Sequence, residues 1–433
     1  MLQCQFLPWF KDFLKAAHAG ELNRLKQFAL ELDEVLGNGI PEILENIIDG
    51  EGRGAIHCAA AGGSVEVLKY LIEEIKLEID VKDGKGETPL SWTAIEGRLA
   101  AVDYLLKLGA NPEIPDELDC SPLHHAAMKG HKEIIPLLLS KGVNVDVMNE
   151  FGSPLLYASA LGYHDTVKVL LDHGANQNVI CGGTVTPLHA SMYSQSCQCA
   201  EQLLKGGADP NGGPNGIKPL PIAAEMGLIQ IIKLLVEAGA DPNIIDIHGL
   251  KPIEFAAIKS NRRGVEILFP VTSPIPSYVD WSINGIMKHV TSKKFEIKMI
   301  CQAKENFPKA KSMGTSAFQR KKYSLAIYWY SKALNMKPGD AAVLSNRSLC
   351  YVYLNKGDRA FEDAAQCVLA RPDWPKAYYR AGVALKLMNR IDDAADVFFN
   401  GLKLDPENKE LENASRLATT SFTVSFVTSS ITA

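Results

Sequence analysis

Ser121-Pro122-Leu123-His124-His125-Ala126-Ala127-Met128-Lys129-Gly130 is the stretch that decides how most of this 433-residue chain is built. The proline opens a short helix, giving up an amide that would be unpaired at a first helical position anyway, and the glycine accepts the left-handed turn that stops it. The two alanines let a neighbouring helix approach closely. The opening recurs in worn forms: Ala55-Ile56-His57, Thr88-Pro89-Leu90, Ser153-Pro154-Leu155, Thr186-Pro187-Leu188-His189, Lys218-Pro219-Leu220 and Lys251-Pro252-Ile253. From Ile56 through Leu90, Leu123, Leu155, Leu188 and Leu220 to Ile253 the steps are 34, 33, 32, 33, 32 and 33. A period of that kind belongs to stacked units, none of which can bury its apolar face alone.

Each unit predicts a turn, a first helix, a second helix and a loop ending in Gly-Ala-Asn or Gly-Ala-Asp, as at Gly109, Gly174, Gly207 and Gly239. Second helices such as Ile134-Ile135-Pro136-Leu137-Leu138-Leu139 and Ile231-Ile232-Lys233-Leu234-Leu235 supply a continuous core. The anchor and period resemble those of ankyrin repeats. Phe13 to Gly20 repeats the helix pattern without the anchor and reads as an N-terminal cap, so about eight units are expected over residues 8–268. An insertion with Asn38-Gly39 and Pro41 follows the cap.

The pattern fails from Phe269, where Pro270, Pro274 and Pro276 mark a boundary. Residues 269–306 read as a linker with one short helix, docked on a neighbour through Trp281, Ile283, Ile286, Met287 and Val290. A second period then begins near Phe307: Ala326, Ala360 and Ala394 stand 34 apart, as do Pro338, Pro372 and Pro406. Gly314, Tyr330 and Ala333, then Ser348 and Tyr351, then Gly382 and Phe398 occupy its small and aromatic positions. This is the spacing of tetratricopeptide (TPR) repeats, giving three units and an end helix over 307–415 and a loose tail over 416–433. The fold class expected is therefore all-α, a double solenoid with an ankyrin array followed by a three-motif TPR superhelix.

Within the second array, Lys311-Ser-Met-Gly314, Ser345-Asn346-Arg347-Ser348 and Pro372 to Arg380 resemble, in type, order and spacing, the carboxylate-clamp TPR domains of heat-shock co-chaperones. The resemblance implies that five side chains grip the C-terminal carboxylates of a Glu-Glu-Val-Asp tail. Lys311, Asn346, Lys376 and Arg380 match; Thr315 stands where the family has Asn. The residue types suit the task on chemical grounds. Lys311 with Thr315, and Lys376 with Arg380, are four apart and share a helix face. A chain-terminal Asp presents two carboxylates, best met by charge-assisted bonds from ammonium and guanidinium groups, with Asn346 adding neutral capacity. Thr315, shorter than Asn and with one hydroxyl donor, is expected to weaken binding by about 0.5–1.5 kcal/mol.

Charge narrows the partner class. Residues 1–275 carry 22 Lys and Arg against 35 Asp and Glu, a net of −13, whereas residues 308–410 carry 17 against 11, a net of +6. The acidic half argues against nucleic acid, and the basic half suits an anionic peptide. Nine scattered cysteines suggest no disulfide framework and a reducing compartment, cytoplasmic with the nucleus open. No metal site is expected: Cys197 and Cys199 are too few and too close together, and His124 and His125 diverge by about 100° on a helix. No cofactor is expected either. His57, His124 and His189 are expected to tie one turn to the next. The chain lacks a phosphate loop, a nucleophile elbow or a catalytic triad in context, so no enzyme is expected. Met1 to Phe10 shows no secretory pattern, and the Ser- and Thr-rich stretch from Leu417 to Ala433 falls short of a membrane span.

One ankyrin surface stands out. Ile95, Met128, Leu161, Tyr193 and Met226 occupy the end of successive first helices, and an apolar ridge there, rimmed by Glu96, Glu117, Lys129 and Glu150, would bind a protein. Packing between adjacent helices is the competing role. The sequence thus predicts a non-enzymatic interaction adaptor of the co-chaperone type, its ankyrin face holding a client and its TPR groove a chaperone tail. Similar ankyrin-plus-TPR chains are of the plant cytosolic type. Two alternatives stay open: a signalling or ubiquitin-pathway scaffold whose TPR groove takes another peptide, and a regulatory subunit of a separate enzyme such as a phosphatase.

Overall fold

The computed structural model describes residues 8–36, 39–183, 185–213, 217–246 and 249–417; Met1 to Leu7 and all but the first two residues of the expected 416–433 tail lie outside them. Among the described residues the chain is all-α, with two isolated bridges, Ile48 with Gly54 and Cys181 with Val185. No helix among them is long and apolar enough to cross a membrane.

Eight helix pairs stack from Pro8–Ala19 with Leu22–Leu36 to Pro252–Ile258 with Arg262–Leu268, and the short helix Ile40–Asn46 fills the insertion after the first pair. Local chemistry starts and stops each first helix. Ser91 N donates to Thr88 Oγ1 at 3.2 Å and Leu156 N to Ser153 Oγ at 3.3 Å, each satisfying an amide that the helix itself leaves unpaired. At the far end Gly130 adopts φ 76°, and a Cβ there would also stand 2.8 Å from the Tyr163 ring of the next unit. Leu90, Leu123, Leu155, Leu188 and Leu220 are at most 1% exposed, each worth about 1.5–3 kcal/mol of burial that only a stacked neighbour can supply.

Two of the three anchor histidines cross-link the stack; the third, His189, meets Thr186 Oγ1 of its own unit at 2.8 Å through Nδ1, and its Nε2 is enclosed without such a bridge. His57 Nδ1 accepts from Gly54 N at 3.1 Å, while Nε2 donates to Val81 O at 3.0 Å in the following hairpin. His124 repeats this with Ser121 N at 3.2 Å and Gly152 O at 3.3 Å. One nitrogen accepts and the other donates, which describes a neutral imidazole, and burial holds both below the usual histidine range.

The linker belongs to the ankyrin core. Helix Ile283–Val290 docks on Pro252–Ile258 and Arg262–Leu268, with Ile286 fully buried and Trp281, Ile283, Met287 and Val290 packed beside it. Glu254, 1% exposed, accepts from Tyr278 Oη at 2.9 Å and faces Lys298 Nζ at 3.5 Å. A single 27-residue helix, Lys293–Gln319, then runs from the linker into the second array, so Phe307 lies in its interior.

That helix pairs with Tyr323–Met336; Ala341–Tyr353 pairs with Gly357–Ala370, Pro375–Leu387 with Ile391–Leu404, and residues 409–417 are helical beyond them. Gly314 is small because a Cβ there would lie 2.6 Å from the Tyr330 ring. Arg347 grips buried Asp363 with two bonds of 2.7 and 2.6 Å and reaches Ser331 Oγ at 2.8 Å, joining the first and second units.

The two arrays touch. Ile217 and Ile222 of the ankyrin part share an apolar cluster with Trp329, Leu325 and Ala326. Lys332 Nζ meets Glu225 Oε2 at 3.1 Å across the same contact.

Candidate functional site

The candidate side chains lie on the first helix of each TPR unit. Lys311 and Thr315 lie on Lys293–Gln319, Asn346 on Ala341–Tyr353, and Lys376 and Arg380 on Pro375–Leu387. Pro375 at the first helical position starts the third of these helices just ahead of Lys376. Asp340 caps the second by accepting from Val343 N at 3.2 Å.

These side chains differ in how far the protein has already engaged them. Lys311 Nζ stands 3.7 Å from Asp340 Oδ1, a loose pair, because Asp340 binds Lys337 more closely at 2.9 Å. Thr315 Oγ1 donates to Lys311 O at 3.0 Å and lies 3.2 Å from Tyr330 Oη. Its hydroxyl hydrogen, expected from sequence to serve a ligand, is thus directed at its own helix. Burial raises the Tyr330 pKa, and Thr315 from the first unit and Asn346 from the second act on the same hydroxyl in the opposite sense.

Lys376 is exposed and makes no hydrogen bond or ion pair with any described residue. Arg380 is half-buried, and its Nε is fully enclosed without a hydrogen-bond partner. Its guanidinium lies 5.7 Å from the Tyr379 ring centroid, and burial holds its pKa below the usual arginine range. Glu410 acts on this charge only from a distance, forming no ion pair with it, and an enclosed Nε without a hydrogen bond is costly. Spacing singled out the five positions but gave no sign that Tyr330 and Asp340 contact Thr315 and Lys311; the recurring aromatic position marked Tyr330 as core, and it is 1% exposed.

The ridge residues are placed unevenly. Ile95 and Met128 are half-buried, whereas Leu161, Tyr193 and Met226 are 52%, 57% and 38% exposed. Glu96, Glu117, Lys129 and Glu150 are all exposed. Tyr193 and Met226 do not face open solvent alone: with Ile222, Glu225 and Lys259 they line an open cleft of about 830 Å³ whose other wall is Tyr328 and Lys332 of the TPR array. The ridge therefore ends against the second array.

Two docked arrays of stacked helix pairs define a repeat-built protein-interaction adaptor. The chain belongs to the ankyrin-repeat family, whose model for three repeat copies matches residues 14–116, 112–181 and 188–274. A model described as "Serine/threonine-protein kinase BSK1-like, TPR repeats" matches residues 287–381. The Hsp70-Hsp90 organising protein of Plasmodium falciparum is 35% identical over 111 residues, 26% of this chain and 44% of that protein. The Hsp70-Hsp90 organizing protein of Triticum aestivum is 36% identical over 103 residues, 24% of this chain and 18% of that one. Ankyrin repeat protein nuc-2 of Neurospora crassa is 28% identical over 266 residues, 60% of this chain and 24% of its own length. The chain thus spans less than half the length of each of these relatives. Among solved structures, the human ASB11 ankyrin repeat domain covers 52% of this chain and 100% of its own, at 25% identity and a TM-score of 0.47.

Proposed function

We propose that this chain is a co-chaperone-like adaptor whose TPR groove binds the acidic C-terminal tail of a heat-shock chaperone, a Glu-Glu-Val-Asp sequence, while its ankyrin part holds a client. The observation that carries the reading is the pair Lys376 and Arg380, one turn apart on one helix, neither in an ion pair with any described residue and Arg380 with an enclosed, unbonded Nε. A terminal Asp brings two carboxylates, enough to engage both cations with charge-assisted bonds. Lys311, loosely held by Asp340, is available from the first unit, and Asn346 from the second. The likeness of 111 and 103 residues of the chain to two Hsp70-Hsp90 organising proteins supports the same partner class. Joining two modest affinities on one chain raises the effective concentration of client near chaperone.

Calorimetric titration of the full chain with a Glu-Glu-Val-Asp peptide, its C-terminally amidated form, and the Lys376→Glu variant tests this. Binding of the free acid, with losses of more than about tenfold on amidation and on charge reversal, is expected. Equal affinity for acid and amide would remove the terminal carboxylate from the recognition and with it the chaperone tail.

A further inference from the structure

The ankyrin stack contains a second polar cluster that the interaction role does not use. At successive hairpins an acid or amide meets a side chain from the following first helix. Asp83 Oδ2 accepts from Trp92 Nε1 at 2.9 Å, Asp116 Oδ2 pairs with His125 Nε2 at 3.1 Å, and Asn149 Nδ2 reaches Tyr157 Oη at 3.1 Å. The preceding hairpin adds a third member to the last two layers: Cys120 accepts from Asn149 Nδ2 at 3.1 Å, and Glu87 stands in the corresponding place beside Asp116 and His125. The Asn149 layer is neutral and complementary, each donor meeting an acceptor. The Asp116 layer is neither.

In that layer two carboxylates face one imidazole. Asp116 and His125 are 9% and 7% exposed, and Glu87 Oε2 is fully enclosed with no hydrogen-bond partner. Asp116 Oδ1 already accepts from Leu118 N and Cys120 N, both at 2.8 Å, so this carboxylate is fixed in orientation. Burial, with Asp83 and Asp116 nearby, pushes the Glu87 carboxyl up. Two carboxylates sharing one imidazole are costly to enclose, and Lys85, the other cation acting on Glu87, is itself paired with Glu51 at 3.3 Å.

We infer that Glu87, Asp116 and His125 form a binding site for a divalent cation of the zinc type, between the second and third anchored ankyrin units. One oxygen from each acid and one imidazole nitrogen lie within 4.8 Å of one another. Three protein ligands of this kind, with water completing the shell, suit a borderline cation such as Zn²⁺, whereas Mg²⁺ prefers an all-oxygen octahedron. The cation neutralises the two carboxylates, and the imidazole offers Nε2 by moving its proton to Nδ1, so His125 changes tautomer without changing charge. Glu87, the least buried of the three, provides the entrance. Neighbours in the chain gave no hint of the site, because stacking assembles it from two units.

The test is a Zn²⁺ titration of chelator-stripped full chain against a competing fluorescent chelator, with Mg²⁺ as comparator. One equivalent binding in the micromolar range or tighter is expected, with Mg²⁺ failing to compete. Glu87→Gln and His125→Trp should each weaken it by more than about tenfold. The tryptophan is chosen because Trp92 already makes the same bond to Asp83. His164→Ala, at a surface histidine 3.5 Å from Asp165, should leave the equivalent intact. Absence of such an equivalent, or its persistence in either of the first two variants, overturns the site. Should His125→Trp not fold, Glu87→Gln decides, since it leaves the His125 bond to Asp116 in place.

Discussion

Lys332 Nζ and Glu225 Oε2, 3.1 Å apart and 107 positions apart in the chain, join the basic array to the acidic one. Lys332 is 14% exposed and Glu225 37%, so the pair is partly shielded and worth about 0.5–1 kcal/mol. Reversing one charge sets two carboxylates against each other beside the Tyr193–Tyr328 cleft. Lys332→Glu is expected to loosen the docking, seen as a larger radius of gyration in solution scattering and faster amide exchange over 219–227 and 323–336. Adding Glu225→Lys should restore both. A Lys332→Glu protein with unchanged scattering would show that the apolar contact of Ile217, Ile222 and Trp329 holds the arrays together unaided.

Acid should destabilise the ankyrin stack through its anchor histidines. Burial lowers His189 from 6.5 to about 4, and moves His57 and His124 the same way. The unfolded chain then binds protons that the folded chain refuses, so the contribution is complete above about pH 6.5 and is lost as pH falls toward 4. For His189 the full loss approaches about 3 kcal/mol. Urea midpoints at about pH 7 and pH 5 should differ less in His189→Gln than in the parent. Equal differences would mean that His189 is not buried as a neutral ring.

Most of the architecture could be read from the chain because periodic contacts leave periodic letters. Leu90, Leu123, Leu155, Leu188 and Leu220 recur since each fills the same slot between units, and Gly130 recurs as a helix stop. Contacts made once leave no such trace. The docking of Tyr328 and Lys332 beside Tyr193 and Met226 joins two surfaces that do not repeat, and it turns one end of the expected ridge into a cleft wall. Phe307-Pro308 has the form of a helix start, yet Pro308 lies inside Lys293–Gln319, where flanking turns on both sides carry the helix past one missing amide. Spacing alone placed Lys311, Thr315, Asn346, Lys376 and Arg380 on the first helices of the three TPR units, where the structure has them. The contact of the buried Tyr330 hydroxyl with Thr315 was not legible, because a letter that marks a core aromatic does not say where its hydroxyl goes.

The Thr315 hydroxyl donates to Lys311 O at 3.0 Å, so it adds nothing to a bound carboxylate. Thr315→Val, which keeps the shape and removes the hydroxyl, is therefore expected to leave Glu-Glu-Val-Asp affinity unchanged. Thr315→Asn should improve it: the longer amide extends past the helix backbone and brings a free donor beside Asn346. A gain of about 0.5–1.5 kcal/mol, or roughly two- to tenfold in affinity, is expected from one added net hydrogen bond. Titration of the same peptide into the three proteins separates the cases. If Thr315→Val loses affinity, the hydroxyl turns from Lys311 to the ligand on binding, and Tyr330, 3.2 Å away, is left as the group that steadies it.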